Sequence, residues 1–364
     1  MNQDPAGKGS KLKVLPLQYM ELADGVILKR GRHEIKIGGP RASRVVQLVL
    51  GLTADGSATR EEIAGQFAMP DRADVSALVE QLEARRFLVP ANSPDAAHAV
   101  PESSLDVFYW HFGLVAERVN AGFKGRIVIL GVNCISRQLA SSLRAAGLDN
   151  LDVIHYPLLC NLRLLASDGS VSPEHWPSSL PRPLDYDIWK QDFDAQTLGC
   201  LVATSDFGGL GLMRPWNEFC VRAQRHFLPV VLQDLVGYVG PLVVPGETAC
   251  FECLRARQNS NVADPDVARL PEERAFVEQA TVGFHPSMAS ILGDLAALEL
   301  ARFYGQFAPP RIVGSLLEVS MLAPSIDVRK VLKVPRCRIC SPMNRHAPTS
   351  PMRNIFLPGN EWPE

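Results

Sequence analysis

From Leu12 to about Pro90 the apolar positions fall in short runs. Strand-like stretches at Lys13–Leu17, Val26–Lys29 and His33–Gly38 are separated by an Asp24-Gly25 turn, which predicts a hairpin, and by Arg30–Arg32. Three segments of helical spacing follow. The first is Arg44–Leu50; the second is Thr59–Phe67, where Thr59 and Glu62 have capping-box spacing. The third is Ala73–Arg86, with Val75, Leu78, Val79 and Leu82 on one stripe. Phe87–Val89 adds a short strand. This order predicts a small winged-helix-like α+β domain over residues 12–90, behind a flexible start at 1–11.

Residues 91–104 (ANSPDAAHAVPESS) are rich in Pro, Ser and Ala and read as a linker. The spacing then predicts a helix over Leu105–Phe123, a strand at Arg126–Leu130, a small-residue turn at Gly131, a helix over Ser136–Ala146 and a strand at Leu151–Tyr156. This β-α-β order opens a doubly wound parallel sheet of Rossmann type. A Pro/Ser loop at 166–183 interrupts it. The rhythm resumes with strand Cys200–Thr204, helix Met213–Arg225, strand Pro229–Asp234, a long helix over Ser287–Tyr304 and strands near Ile312–Val319 and Ile326–Leu332. The second domain is expected over 105–345, followed by a tail at 346–364.

A length of 364 residues suits two such domains. A composition of 46% hydrophobic and 21% charged residues excludes wholesale disorder. With 37 Lys+Arg against 39 Asp+Glu, no basic excess draws in nucleic acid or an anionic membrane. Apolar runs fall far short of the roughly 18 residues of a membrane span, and the N-terminus has no signal-like apolar stretch. A cytoplasmic chain with neither nucleic-acid nor membrane partner is expected.

Four of the eight cysteines, Cys134, Cys160, Cys200 and Cys220, are solitary and read as small buried hydrophobes. The others form two C-x-x-C pairs, Cys250/Cys253 and Cys337/Cys340, which together supply the four thiolates that Zn²⁺ prefers. The 83 residues between the pairs exceed a zinc ribbon's spacing, so a metal here clips together distant parts of one domain and offsets the entropy of closing a long loop. Two unrelated pairs, one of them redox-active, are the alternative. Arg336, just before the second pair, and Arg338, within it, favour charged thiolates.

The segments GRIVILGVNCISRQLASSLRAAGL, CLVATSD, the Asn217 helix and VGPLVVPGETACFECLRARQNSN, closed by CRIC, resemble the ThiF/MoeB-type, ubiquitin-activating-like adenylyltransferases. The stretch from Gly240 to Leu254 resembles most the divergent members that partner cyclodehydratases in thiazole/oxazole-modified peptide pathways. The N-terminal domain is similar, by element order and size, to PqqD-like peptide-recognition elements. The resemblance implies a turn like G-x-G-x-x-G after the first strand, whose bare backbone meets a phosphate. Here the turn reads Gly131-Val132-Asn133-Cys134-Ile135-Ser136 and keeps only the first glycine, with Cys134 and Ile135 as expected obstacles. His155 stands near the place of the family's ribose-binding acid. Asn161-Leu162-Arg163-Leu164-Leu165 departs from the family's N-L-N-R-Q. Asp206 matches the Mg²⁺-binding aspartate, and equally suits a turn or helix cap. Arg214 and Asn217 read as packing relics, and His285 as a site residue or a helix-entry residue. No nucleophile is evident, since residues 254–336 lack cysteine.

The expectation is therefore a vestigial nucleotide site at Gly131 and Asp206, with no catalytic residue, ATP not expected as cofactor, and structural Zn²⁺ on Cys250, Cys253, Cys337 and Cys340. The resemblance implies that a leader peptide of a ribosomal precursor adds as a strand beside Arg32–Gly38. The contacts would be Glu34, Ile35, Lys36 and Ile37, with Val75, Leu78, Val79 and Leu82 from the third helix. The alternative is that these apolar residues only fill the small core. Lys29, Arg30, Arg32, Lys36, Arg85 and Arg86 give this area a basic cast, which suits an acidic peptide or a solvated face alike. The implied partner is a YcaO-type cyclodehydratase, making the chain a non-catalytic subunit. A peptide adenylyltransferase of the microcin-maturation type is the second reading and a homodimeric platform the third.

Overall fold

The computed structural model describes residues 9–97, 103–112, 114 and 116–341. The expectations for residues 1–8 and 98–102 and for the tail from 342 lie outside the described residues. The chain divides into two compact units, residues 1–119 and 120–364.

The first unit holds β1 (Lys11–Val14), β2 (Gln18–Leu22), β3 (Gly25–Arg30), β4 (His33–Gly38), α1 (Ala42–Thr53), β5 (Ala58–Thr59), α2 (Arg60–Gly65), α3 (Arg72–Ala84), β6 (Leu88–Pro90), α4 (Pro94–Ala97) and α5 (Ser104–Trp110). They form two three-stranded sheets, β5-β1-β6 and β2-β3-β4. The hairpin falls where Asp24-Gly25 predicts it, with Leu22 paired to Gly25. Its first strand, β2, is exposed almost throughout, Met20 and Leu22 included, and only Tyr19 packs against the core. The Thr59/Glu62 capping box opens α2. Leu12, Val26, Leu28, Ile35, Val46, Val49 and Ile63 meet Val75, Val79 and Leu82 in one core. Within 91–97, Ala96 packs with Leu15 and Val89. The helix expected over Leu105–Phe123 is two pieces, α5 and α6 (Ala116–Ala121), and α5 is opened by a Ser103/Asp106 capping box.

The second unit runs β7 (Arg126–Leu130), α7 (Cys134–Ala145), β8 (Leu151–His155), β9 (Leu184–Asp185), α8 (Tyr186–Asp192), β10 (Leu198–Ser205), α9 (Arg214–Ala223), β11 (His226–Gln233), β12 (Val236–Val239), α10 (Phe251–Asn259), α11 (Pro265–Arg274), α12 (Pro286–Gly305), β13 (Ser315–Ser320) and β14 (Ser325–Lys330). One mixed sheet has the order β14-β13-β12-β11-β10-β7-β8-β9. Its β11-β10-β7-β8-β9 half is parallel and its β11-β12-β13-β14 half antiparallel. The central strands are apolar on both faces, as a parallel sheet covered on two sides requires. The core cluster on one face includes residues of α7 and α12; that on the other includes α9 and α10. The expected α/β architecture is thus present. Among the described residues no helix is long and apolar enough to cross a membrane.

Candidate functional site

The turn after β7 lies at the carboxyl end of the parallel strands, where open α/β sheets place their ligands. Gly131 takes φ +101°, and a Cβ there would stand 2.6 Å from the Leu159 carbonyl oxygen, so this glycine is required by both torsion and space. The two other positions of a G-x-G-x-x-G pattern are held by Asn133 and Ser136, both fully buried and forming a reciprocal cap on α7. The Ser136 amide donates to Asn133 Oδ1 at 3.0 Å, and the Asn133 amide to Ser136 Oγ at 2.9 Å. Asn133 Nδ2 donates to the Leu159 carbonyl and to Thr204, tying the turn to β10. Ile135 is fully buried within the core cluster of α7 and α12, so it is not the obstacle over the turn that its β-branch predicted. Its side chain fills the helix–helix seam.

Asp206, just past β10, is wholly buried. It accepts the Cys134 amide at 2.8 Å on one oxygen, and Asn161 Nδ2 reaches both oxygens at 3.0 and 3.1 Å. Asp206 thus receives the first amide of α7, a helix remote from it in the chain and already capped by Asn133, rather than capping a helix of its own segment. A carboxyl group supplied by the chain itself therefore already sits on the α7 N-terminus, the place where a helix would receive a phosphate. Burial raises the Asp206 pKa; the Cys134 amide and Asn161 oppose that rise. Burial and the Asp206 charge push the Cys134 thiol up to about 12. Cys160 and Cys200 are likewise raised to about 12 by burial, so these thiols are not poised as thiolates. Cys134, half-buried, is the exception to the expectation that all four solitary cysteines are buried.

The segment Asn161–Leu165 turns under Gln279, whose amide accepts the Leu162 N–H and donates to the Cys160 carbonyl. Arg163 donates to the Ala280 carbonyl. His155 ends β8 with its imidazole pKa lowered by burial. It lines a cavity of about 830 Å³ with Trp176, Leu180, Arg182 and Asp185. His285 caps α12, accepting the Ser287 amide on Nδ1, which is the helix-entry role.

The four cysteines of the two C-x-x-C pairs come together, with all ligand atoms within 4.8 Å of one another. The Sγ separations of 3.9, 3.6 and 3.4 Å for Cys250–Cys253, Cys250–Cys337 and Cys253–Cys340 bracket the roughly 3.8 Å edge of a tetrahedron with 2.3 Å zinc–sulfur bonds. The cluster is consistent with a structural metal such as zinc. Hydrogen bonds from Cys250 and Cys340, then from the Val334 amide, hold Cys253 well below the usual thiol range. Sequence reasoning missed the surrounding support. Arg214 and Asn217, read as packing relics, meet the segment of the first pair: Asn217 Oδ1 accepts the Phe251 amide that opens α10, and Arg214 pairs with Glu252 at 3.2 Å. Arg338 reaches Glu252 at 3.3 Å, so its charge partner is a carboxylate beside the thiols.

In the first unit, β4 is the outer strand of its sheet. Glu34 and Lys36 are exposed and Ile37 and Leu78 half-buried. Ile35, Val75, Val79 and Leu82 are buried in the core, so they leave no accessible surface for a groove; a unit this small has few apolar residues to spare. Arg85, just past α3, donates to the Glu34 carbonyl at 2.7 Å, which shows that the Glu34 backbone faces the outer edge. Residues alternate in this respect along a strand, so the Lys36 amide and carbonyl face outward too. Arg30, buried, stacks over Trp110 at 4.1 Å, and Arg86 pairs with Asp95.

No protein-family model matches the sequence, and no curated protein matches it. Solved structures do. The heterocyclase TruD matches with a TM-score of 0.56 at 18% identity, over 91% of this chain and 43% of that one. MccB of E. coli with succinimide matches with a TM-score of 0.60 at 16% identity, over 91% of this chain and 99% of MccB. The microcin C7 biosynthetic enzyme MccB in complex with N-formylated MccA matches at 0.59 and 16%, over 91% and 100%. The chain therefore spans about two fifths of the heterocyclase it matches and nearly all of MccB, and it shares the fold of MccB and of that part of the heterocyclase.

Proposed function

We propose that this chain is a peptide-capturing scaffold of ThiF-like fold: residues 12–90 bind the leader of a ribosomal precursor, and the 105–345 domain presents its core to a separate YcaO-type, ATP-dependent cyclodehydratase that forms azolines. The observation that carries this reading is the outward-facing backbone of β4, where the Lys36 amide and carbonyl offer an added strand main-chain hydrogen bonds beside the Glu34 carbonyl that Arg85 already holds. The absence of a turnover of its own is supported by the α7 N-terminus. The Asn133, Cys134 and Ser136 amides, which a phosphate would need, are all engaged within the chain. Each contact of this charge-assisted kind is worth about 1.5–3 kcal/mol, so losing two or three costs a nucleotide several orders of magnitude in affinity. MccB, the structural relative, is seen with N-formylated MccA bound.

The test is fluorescence anisotropy with the full chain and a labelled leader from a short precursor reading frame neighbouring the gene. A Kd below about 100 μM is expected. Lys36→Pro, which deletes one outward amide at an edge where proline is tolerated, should weaken binding at least about tenfold. No saturable binding up to that concentration sinks the proposal. A second reading, peptide adenylylation, is favoured by the match to 99% of MccB. Precursor-dependent pyrophosphate exchange that is lost in Asp206→Ala would make it the better one.

A further inference from the structure

β3 points Val26 and Leu28 into the core of the first unit, and the alternation of a strand puts Arg30 on the same face. Where the pattern calls for another apolar residue the chain places a guanidinium, and Arg30 is only 7% exposed. Its Cζ lies 4.1 Å from the centre of the Trp110 ring. Among the described residues the Arg30 side chain makes no hydrogen bond and no ion pair, and its Nε is sealed from solvent without a partner. Nη1 and Nη2 are not sealed.

The charges around it do not cancel. Asp95 is the carboxylate that Arg30 feels, and the Arg86 guanidinium is the like charge. Asp95, itself buried, already pairs with Arg86. Two guanidinium groups thus share one carboxylate, which leaves a positive charge over. Burial first, then Arg86, pushes the Arg30 pKa down to about 10 against the pull of Asp95, still far enough above neutral pH to keep the group charged. His33 supplies no compensation: burial, then Arg32, Arg30, Arg86 and Arg85, holds its imidazole below the ordinary range. A charge taken out of water is costly unless it is paired. The Trp110 ring offsets part of that cost, but it brings neither an acceptor for the N–H groups nor a counter-charge.

We propose that Arg30 anchors a carboxylate-binding site: a carboxylate from outside the chain accepts from Nη1 and Nη2 and supplies the missing negative charge. The open end of a guanidinium presents two parallel N–H donors, which match the two oxygens of a carboxylate. The charge balance favours a carboxylate over a phosphate. One negative charge neutralises the group of Arg30, Arg86 and Asp95, whereas a dianion leaves an excess in a buried place. A small free acid and the acidic side chain of a peptide present the same chemical group. The inference holds without the peptide reading of β4.

The test is saturation-transfer difference NMR on the full chain with two probes, acetate and the N-acetyl α-methylamide of glutamate, with chloride holding the ionic strength constant. Saturable binding with a Kd on the order of 1 mM or tighter is expected for at least one of them. Acetate binds if the ligand is a free acid; the glutamate derivative alone binds if a peptide supplies the group. Arg30→Met keeps an unbranched side chain over Trp110 without the charge and should abolish the signal. Its circular dichroism should be unchanged, because an apolar group replaces a buried unpaired charge. Asp95→Asn removes the competing carboxylate of the chain and should tighten binding about tenfold. No saturable binding to the wild type, equal binding to Arg30→Met, or binding no tighter in Asp95→Asn overturns the proposal.

Discussion

A carboxylate removed from water is disfavoured in its charged form, and Asp206 is such a group. Its folded pKa lies above the ordinary 3.8 because burial outweighs the Cys134 amide and Asn161. A raised value means that the folded state holds the proton more tightly than the unfolded chain. The associated stability is full below 3.8 and is lost as pH climbs through the folded value. Asp206→Asn keeps the shape without the titration. We therefore expect the stability of wild type relative to Asp206→Asn to be greater at about pH 4 than at about pH 7, read from urea unfolding at both. An equal difference at the two values contradicts the assignment. The residue was legible as an acid after a strand; that its partner is the Cys134 amide, 72 residues away, was not.

At the scale of elements, α7 and α12 pack closely at Gly293. A Cβ there would stand 2.8 Å from Gln138 Cβ, 2.9 Å from the Leu139 amide nitrogen and 3.0 Å from the Ile135 carbonyl oxygen. Helix propensity alone favours alanine by about 1 kcal/mol. Two of the three neighbours are backbone and cannot rotate away, so overpacking decides the sign, and Gly293→Ala should cost about 1–3 kcal/mol in chemical denaturation. The long periodic elements, α12, α7 and β10, were legible because their apolar spacing is imposed by the sheet they cover. Helix α10 was hidden, because FECLRARQN has no continuous apolar stripe and is held by Asn217 and the cysteine cluster instead. The groove residues expected on α3 were legible as one stripe, yet a stripe does not say which side of it is core.

For the whole molecule, the four thiols join the start of α10 to the segment after β14. Lys333 Nζ on the Gly246 carbonyl and Arg257 Nε on the Leu332 carbonyl hold the same two stretches together. One zinc per chain by elemental analysis is expected. Removing it with a chelator, or introducing Cys250→Ser, should lower stability on the order of 4 kcal/mol, the scale of a cross-link closing a loop of this length. Full stability without metal, by calorimetry, contradicts this.

Local chemistry, carried by the sequence alone, determined the α/β order, the Thr59 cap, the hairpin at Asp24 and the capacity of each C-x-x-C pair to grip a metal, because these depend on residues a few positions apart. Only the tertiary structure decided that both pairs converge, that Asp206 rests on the α7 N-terminus, that Val75, Val79 and Leu82 turn inward, and that no strand among the described residues pairs with the outer edge of β4. Each of those outcomes is a distance between residues remote in the chain, set by how covered faces and strand order are shared out in three dimensions, and no local period encodes it.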